Sequence, residues 1–175
     1  MEWPQLAVIQ TDRLSLQPLC GDHAESMVEV LADSALYTFT GGTAPSLDAL
    51  RKQYAAQSIG HSSDGQQWWC NWIVEPDDTR SPAGYVQATV QYDGDDLEAD
   101  IAGVVQPDQQ GKGIATEAAR GMVDWLAPQG VTKLVAFIHP EHEASGRVAA
   151  KLGLFRTDEQ FDGEDRWEGV IAVTH

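Results

Sequence analysis

Two cysteines, eleven lysines and arginines, and no apolar run approaching the length of a bilayer-spanning helix set the first limits on this chain of 175 residues. Cys20 and Cys70 are too few for a disulfide framework and have no metal-ligand spacing, so they fit a reducing compartment and read as small buried apolar residues. The opening letters, MEWPQLAVIQTDRL, show no basic leader, long apolar stretch or small-residue cleavage site. The expectation is a cytoplasmic protein with no membrane partner. No internal repeat, low-complexity tract or proline-rich linker interrupts the chain, which predicts a single domain over residues 1–175. Hydrophobic residues at 42% and charged residues at 22% suit an ordinary globular core.

The shortage of basic residues excludes the most. Asp and Glu outnumber Lys and Arg 27 to 11, for a formal net charge of -16. That balance argues against a nucleic-acid or anionic-membrane partner held through a broad basic face. A cationic substrate would be attracted, although acid excess also serves solubility.

What is present alternates in type along the chain. LAVIQTDRLSLQPL reads as a strand through Leu14, Leu16 and Leu19, and DHAESMVEVLADS as a helix with Asp22 placed to cap its start. Ser46 caps a second helix whose apolar stripe is Leu47, Leu50, Tyr54 and Ala55. Three strand-like runs, QWWCNWIVEP, AGYVQATVQY and LEADIAGVVQ, are separated by turn-forming DDTRS and DGDD and predict an antiparallel meander. Trp68, Trp69 and Trp72 read as core or edge residues. Ala115, Ala118, Ala119, Met122, Val123 and Leu126 then share one face of an amphipathic helix ended by Pro128 and Gly130. TKLVAFIHP returns as a strand, EASGRVAAKLG as a short helix closed by Gly153, and two strands finish the chain. Strand, helix, strand around one turn implies a parallel pair joined by a crossover helix.

That turn, QPDQQGKGIATEAARG, carries the chemistry. The Walker pattern fails, because Gln106 stands at its first glycine and Gly113 at its Ser/Thr; the dinucleotide fingerprint fails at Thr116 and in its strand context. Gly111 and Gly113 nevertheless let successive backbone N–H groups turn toward one point, and the helix starting there adds its unpaired amides and positive dipole end. A pyrophosphate suits such a turn, with Lys112 and Arg147 adding local positive charge; a plain strand-to-helix turn is the alternative. The field of the acidic surface fades over about 8–10 Å at ordinary ionic strength, so short-range amides decide.

Gln110, Gly111, Lys112, Gly113, Ile114 and Ala115 resemble the cofactor loop of the GNAT superfamily of N-acetyltransferases, Gln/Arg-x-x-Gly-x-Gly/Ala. EHEASGRVAAKLGLFR looks like that family's second block, and TDRLSLQPL points to its RimJ/RimL branch. The resemblance covers roughly Thr11 to Trp167. It implies an α/β (α+β) fold, a mixed, mostly antiparallel twisted sheet flanked by helices, with a splayed parallel strand pair holding acetyl-CoA. By the same resemblance, amides from Gln110 to Ala115 hold the pyrophosphate, the strand through Gly103, Val104 and Val105 pairs with the pantetheine arm, and the N–H of Val104 or Val105 meets the oxyanion.

Acetylating an amine requires its neutral form, because an ammonium has no lone pair. Asp100, on the strand leading into the turn and at a position often acidic in this branch, is the candidate base, with a solvated strand carboxylate as the alternative. Ala149 stands where many branches place an acidic tyrosine, so Ser145 is the candidate proton donor and His142, one turn earlier, a candidate shuttle. Where the family usually has a glycine followed by an aromatic, this chain has Ala102 and Gly103. His139 has no partner spacing for a metal, and no metal site is assigned. The resulting expectation is a cytoplasmic acetyltransferase, monomer or homodimer, acting on an amine-bearing small molecule or a protein N-terminus. The alternative is a catalytically silent acyl-CoA-binding or protein-interaction module.

Overall fold

The computed structural model describes residues 3–171. In chain order its elements are β1 (Ile9–Gln10), β2 (Leu14–Pro18), α1 (Ala24–Val30), α2 (Leu47–Gln57), β3 (Trp68–Pro76), β4 (Gly84–Asp93), β5 (Asp96–Val105), α3 (Ile114–Leu126), β6 (Val131–Ile138), α4 (Glu143–Lys151), β7 (Phe155–Phe161) and β8 (Glu164–Val170). The strands form one eight-stranded sheet in the order β1-β2-β3-β4-β5-β6-β8-β7. β5 and β6, joined through α3, are parallel, and the other described neighbours are antiparallel. This is the mixed, helix-flanked sheet that the family resemblance implies, and it contains the meander and parallel pair that the patterns predict.

The sheet separates two apolar clusters. Period-two alternation sends Trp72, Val74, Val86, Ala88, Ala99 and Ile101 to the face covered by α3, where Met122 and Leu126 are buried against them. Each such fully buried large side chain contributes about 1.5–3 kcal/mol of transfer free energy. Trp68 and Trp72 belong to this core, and Trp125 meets Trp72 edge-on at 5.3 Å. On the other face, Met27, Leu50 and Tyr54 from α1 and α2 cover Ile73, with Tyr85 and Val104 at the margin.

Four local expectations are corrected. The first apolar run folds as two strands, because the Thr11 amide donates to the Leu14 carbonyl at 2.9 Å and turns the chain back on itself. Asp22 lies inside a short 3-10 turn, and α1 starts after it without a side-chain cap; Ser46 does cap α2, accepting from the Ala49 amide. Ala55 is exposed, since α2 presents only Leu50 and Tyr54 fully to the core. Cys20 is exposed as well, whereas Cys70 is buried.

Candidate active site

The site begins where the parallel pair ends. β5 and β6 pair from Leu97↔Val131 to Asp100↔Val135, with a register shift after Leu97; β5 then runs on to Val105 and β6 to Ile138 without pairing with each other. A slot opens between them with Asp100 at its apex. The Gln106 amide donates to the Ala83 carbonyl at 2.8 Å, which fixes the alternation along the antiparallel ladder. Val104 and Ala102 direct their backbone groups to β4, whereas Ile101, Gly103 and Val105 direct theirs into the slot. Of the two candidate oxyanion donors, the slot-facing amide is therefore that of Val105, joined by that of Gly103.

At the open end, the loop before α3 is built for an anion. Gly111 and Gly113 have φ of 81° and 78°, which side chains rarely adopt, and a Cβ at Gly111 would meet nothing within 4 Å. The first bond of the α3 turn runs from the Glu117 amide to the Gly113 carbonyl, so the amides from Gly111 to Thr116 take up no backbone acceptor. The Gln110 amide instead donates to Pro107, and its side chain donates to the Val105 carbonyl at 2.9 Å, tying loop to strand. Lys112 is exposed and reaches Gln109. These residues fit a diphosphate: open space, unpaired donors and a helix N-terminus converge.

Sequence reading missed what holds the loop. Arg13 donates to the Lys112 carbonyl at 2.9 Å and to Glu117 at 2.7 Å, while Thr11 Oγ1 and the Arg13 amide bond the second Glu117 oxygen. Burial alone would raise the Glu117 pKa, but these hydrogen bonds and the guanidinium outweigh it and hold the carboxyl below its ordinary value. The signal was in the TDR letters of TDRLSLQPL, which the family resemblance used without giving them a task.

Asp100 is exposed along the slot, yet the surrounding strands desolvate its carboxyl. That desolvation, reinforced by Glu98 and Glu164 and opposed by Arg166, pushes its pKa up to about 6. Arg166 is itself shared among Glu98 at 3.8 Å, Glu159 at 3.3 Å and Glu168 at 3.4 Å. The apex is therefore an acidic place around one guanidinium.

The β6 bank carries the other candidates. Ser145 Oγ and His142 Nδ1 are 3.1 Å apart, and burial, then His139, lowers the His142 pKa, so its ring is neutral at pH 7. Phe39 stacks on His142 at 4.6 Å and touches His139 at 5.2 Å. Ala149, on α4, is buried in the core. Arg147 pairs with Glu143 at 3.9 Å and borders a groove shared with Arg156, Asp165 and Trp167.

On the face opposite α3, a cavity of about 350 Å³ lies between the α1–α2 segment and β3–β5. Tyr37, Tyr54, Tyr85, Asn71, Gln87 and Val104 are among its lining residues. Thr40, Thr43 and Pro45 line it too, so the loop that carries Phe39 touches both banks of the slot. These residues come from α2, β3, β4, β5 and the connection between α1 and α2, and no local spacing announces them. Among the described residues no helix is long and apolar enough to cross a membrane, and no group of three His, Cys, Asp or Glu is placed to hold a metal.

The architecture is shared with solved acetyltransferases. RimL, a ribosomal L7/L12 alpha-N-protein acetyltransferase in complex with coenzyme A, superimposes with a TM-score of 0.76 at 15% identity, over 95% of this chain and 98% of that one. AAC(6')-Ib in complex with ribostamycin and coenzyme A gives 0.73 at 23% identity, over 91% and 94%. A GNAT-family acetyltransferase from Bacillus anthracis gives 0.70 at 18%, over 94% and 98%. At these identities the likeness is one of fold. Among curated protein sequences nothing matches. A model of the acetyltransferase (GNAT) domain does match residues 13–154, a span that runs from the Arg13 clamp through the slot and glycine loop to the end of α4. With that match across most of its length, the chain belongs to the GNAT acetyltransferases, a family that uses acetyl-CoA.

Proposed function

We propose that this chain is an N-acetyltransferase that moves the acetyl group of acetyl-CoA to a primary amine by direct attack, with both substrates bound together. The observation that carries this reading is the parting of β5 from β6 at Asp100, which puts one carboxyl at the apex of a slot lined by β5 backbone groups that have no strand partner on that side. Amides from Gly111 to Ala115 hold the diphosphate, with Lys112 adding charge, and the backbone of β5 through Val104 and Val105 flanks the arm. Arg147, tied to Glu143, is left out of this set. Acetyl-CoA supplies an acetyl group already activated as a thioester.

The protein's own tasks follow. Asp100, with a pKa near 6, is ionised at pH 7 and accepts the proton that an arriving ammonium must lose. The slot-facing amides of Gly103 and Val105 stabilise negative charge developing on the acetyl oxygen. Ser145 Oγ, bonded to a neutral His142, holds the proton that the departing sulfur takes up. Holding the amine beside the thioester supplies much of the rate, so no stronger base is required.

Buried Ala149 favours a second reading, a silent acyl-CoA-binding module, because no tyrosine hydroxyl stands there. Calorimetry with coenzyme A and a thiol-release assay over peptides, polyamines, aminoglycosides and simple amines separate the two. Thiol release supports the transferase; binding without release selects the silent module. Loss of turnover in Ser145→Ala supports its role as donor, and an unchanged rate assigns that proton to solvent.

A further inference from the structure

The cavity beside the slot is uncharged in a chain whose surface is strongly acidic. No residue that lines it carries a charge at neutral pH; its polar groups are phenols, hydroxyls and carboxamides, set among leucines, Ile73 and Val104. Burial raises the pKa of Tyr54 and of Tyr85, so both phenols stay protonated. No carboxylate stands in these walls to balance a desolvated ammonium, so a charge there is disfavoured relative to one beside an acid.

The charge lies at one end only. Gln87, which lines the cavity, pairs with Ala102, and Thr89, the next residue on the same face of β4, pairs with Asp100. One pleat, about 7 Å, separates those positions. Beyond Asp100 come Glu98, Glu164 and Arg166 with its other carboxylates. The arrangement therefore has an anionic point for one amine and a neutral, largely apolar compartment for the remainder of the molecule.

Resting on the acetyltransferase reading, we infer that the acceptor is a monoamine with a compact, uncharged and largely apolar body, and that polycationic amines are poor acceptors. Neutral hydrogen-bonding groups on that body meet Asn71, Gln87 and Tyr85; a second ammonium meets none of the acids at the apex. The cavity volume lies at the low end of small-molecule sites, which suits a body of amino-acid side-chain size.

The test is steady-state thiol release with acetyl-CoA and four amines: 2-phenylethylamine, tyramine, spermidine and kanamycin. For the wild-type chain, kcat/KM for the better aromatic monoamine is expected to exceed that for either polycation by at least tenfold. Gln87→Glu places a carboxylate in the compartment, and is expected to shrink that ratio through a higher KM for the aromatic amines while coenzyme A affinity, read by calorimetry, stays unchanged. A wild-type preference for spermidine or kanamycin overturns the inference and leaves the transferase reading standing. So does an unaltered ratio in a Gln87→Glu protein that melts and binds coenzyme A like wild type. No thiol release with any of the four overturns the inference; if wider panels also fail, the transferase reading falls with it.

Discussion

Replacing Tyr54 by phenylalanine should make this protein more stable. Tyr54 is 4% exposed, and its hydroxyl is the one buried side-chain polar atom among the described residues without a hydrogen-bond partner; solvent reaches less than 1 Å² of it. Leaving such a group unpaired costs about 1–3 kcal/mol, and deleting the oxygen relieves that cost while keeping the ring against Met27, Leu50 and Ile73. For a chain of this size, 1 kcal/mol moves the melting temperature by about 2–4 °C, so Tyr54→Phe should gain about 2–12 °C without ligands. Most core substitutions destabilise by about 0.5–3 kcal/mol, so the sign alone is diagnostic. Thermal unfolding followed by circular dichroism or calorimetry reads it. A lower melting temperature in Tyr54→Phe would show that the hydroxyl has a partner in solution, and refute the description of it as unsatisfied.

Asp100→Asn should lower kcat by about 10²–10⁴-fold and flatten the acid limb of kcat/KM against pH. In the wild type, activity should rise through pH 6 as the carboxyl ionises, and an unchanged limb in the variant would remove Asp100 as the base. Because its folded pKa is raised, the same carboxyl should make stability fall as pH rises from about 4 to 6, a slope that Asn abolishes. Glu117 has the opposite sign. Its depressed pKa gives stability that is present above the unfolded carboxylate value and lost as pH falls through the folded one, so Glu117→Gln should lose about 1.5–3 kcal/mol at pH 7 and show a shallower acid transition in pH-dependent melting. Gly84→Ala should destabilise by about 1–3 kcal/mol or more and weaken coenzyme A binding in calorimetry, because the new Cβ would lie 1.9 Å from the Val104 carbonyl oxygen and must push β4 away from β5.

The elements that were legible in the letters are those with a local cause. α3 follows from the spacing of Ala118, Met122 and Leu126, the meander from alternating runs split by DDTRS and DGDD, and the positive-φ turn before α3 from two glycines ahead of a helix. The parallel pair followed from connectivity. What the letters did not reveal depends on register and long-range packing. Which of Val104 and Val105 faces the slot is set by the bond from Gln106 to Ala83, a pairing between strands. The neutral cavity gathers Tyr37, Tyr54, Asn71 and Gln87 from separated elements, and Phe39 meets His142 across more than a hundred residues. Asp22 failed as a cap because a 3-10 turn intervened, a choice of local geometry that composition does not encode.

The grip of Thr11 and Arg13 on Glu117 and Lys112 makes the amino-terminal edge of the sheet a brace for the nucleotide end of the molecule. Order in one is thereby linked to occupancy of the other. A diphosphate held there as proposed should draw the loop, Arg13 and the first hairpin into one cooperative unit, so amides from Ile9 to Leu16 are expected to exchange with solvent more slowly when coenzyme A is added. Fusions or cuts that disturb those few residues are felt first as lost cofactor affinity, some hundred positions further along the chain.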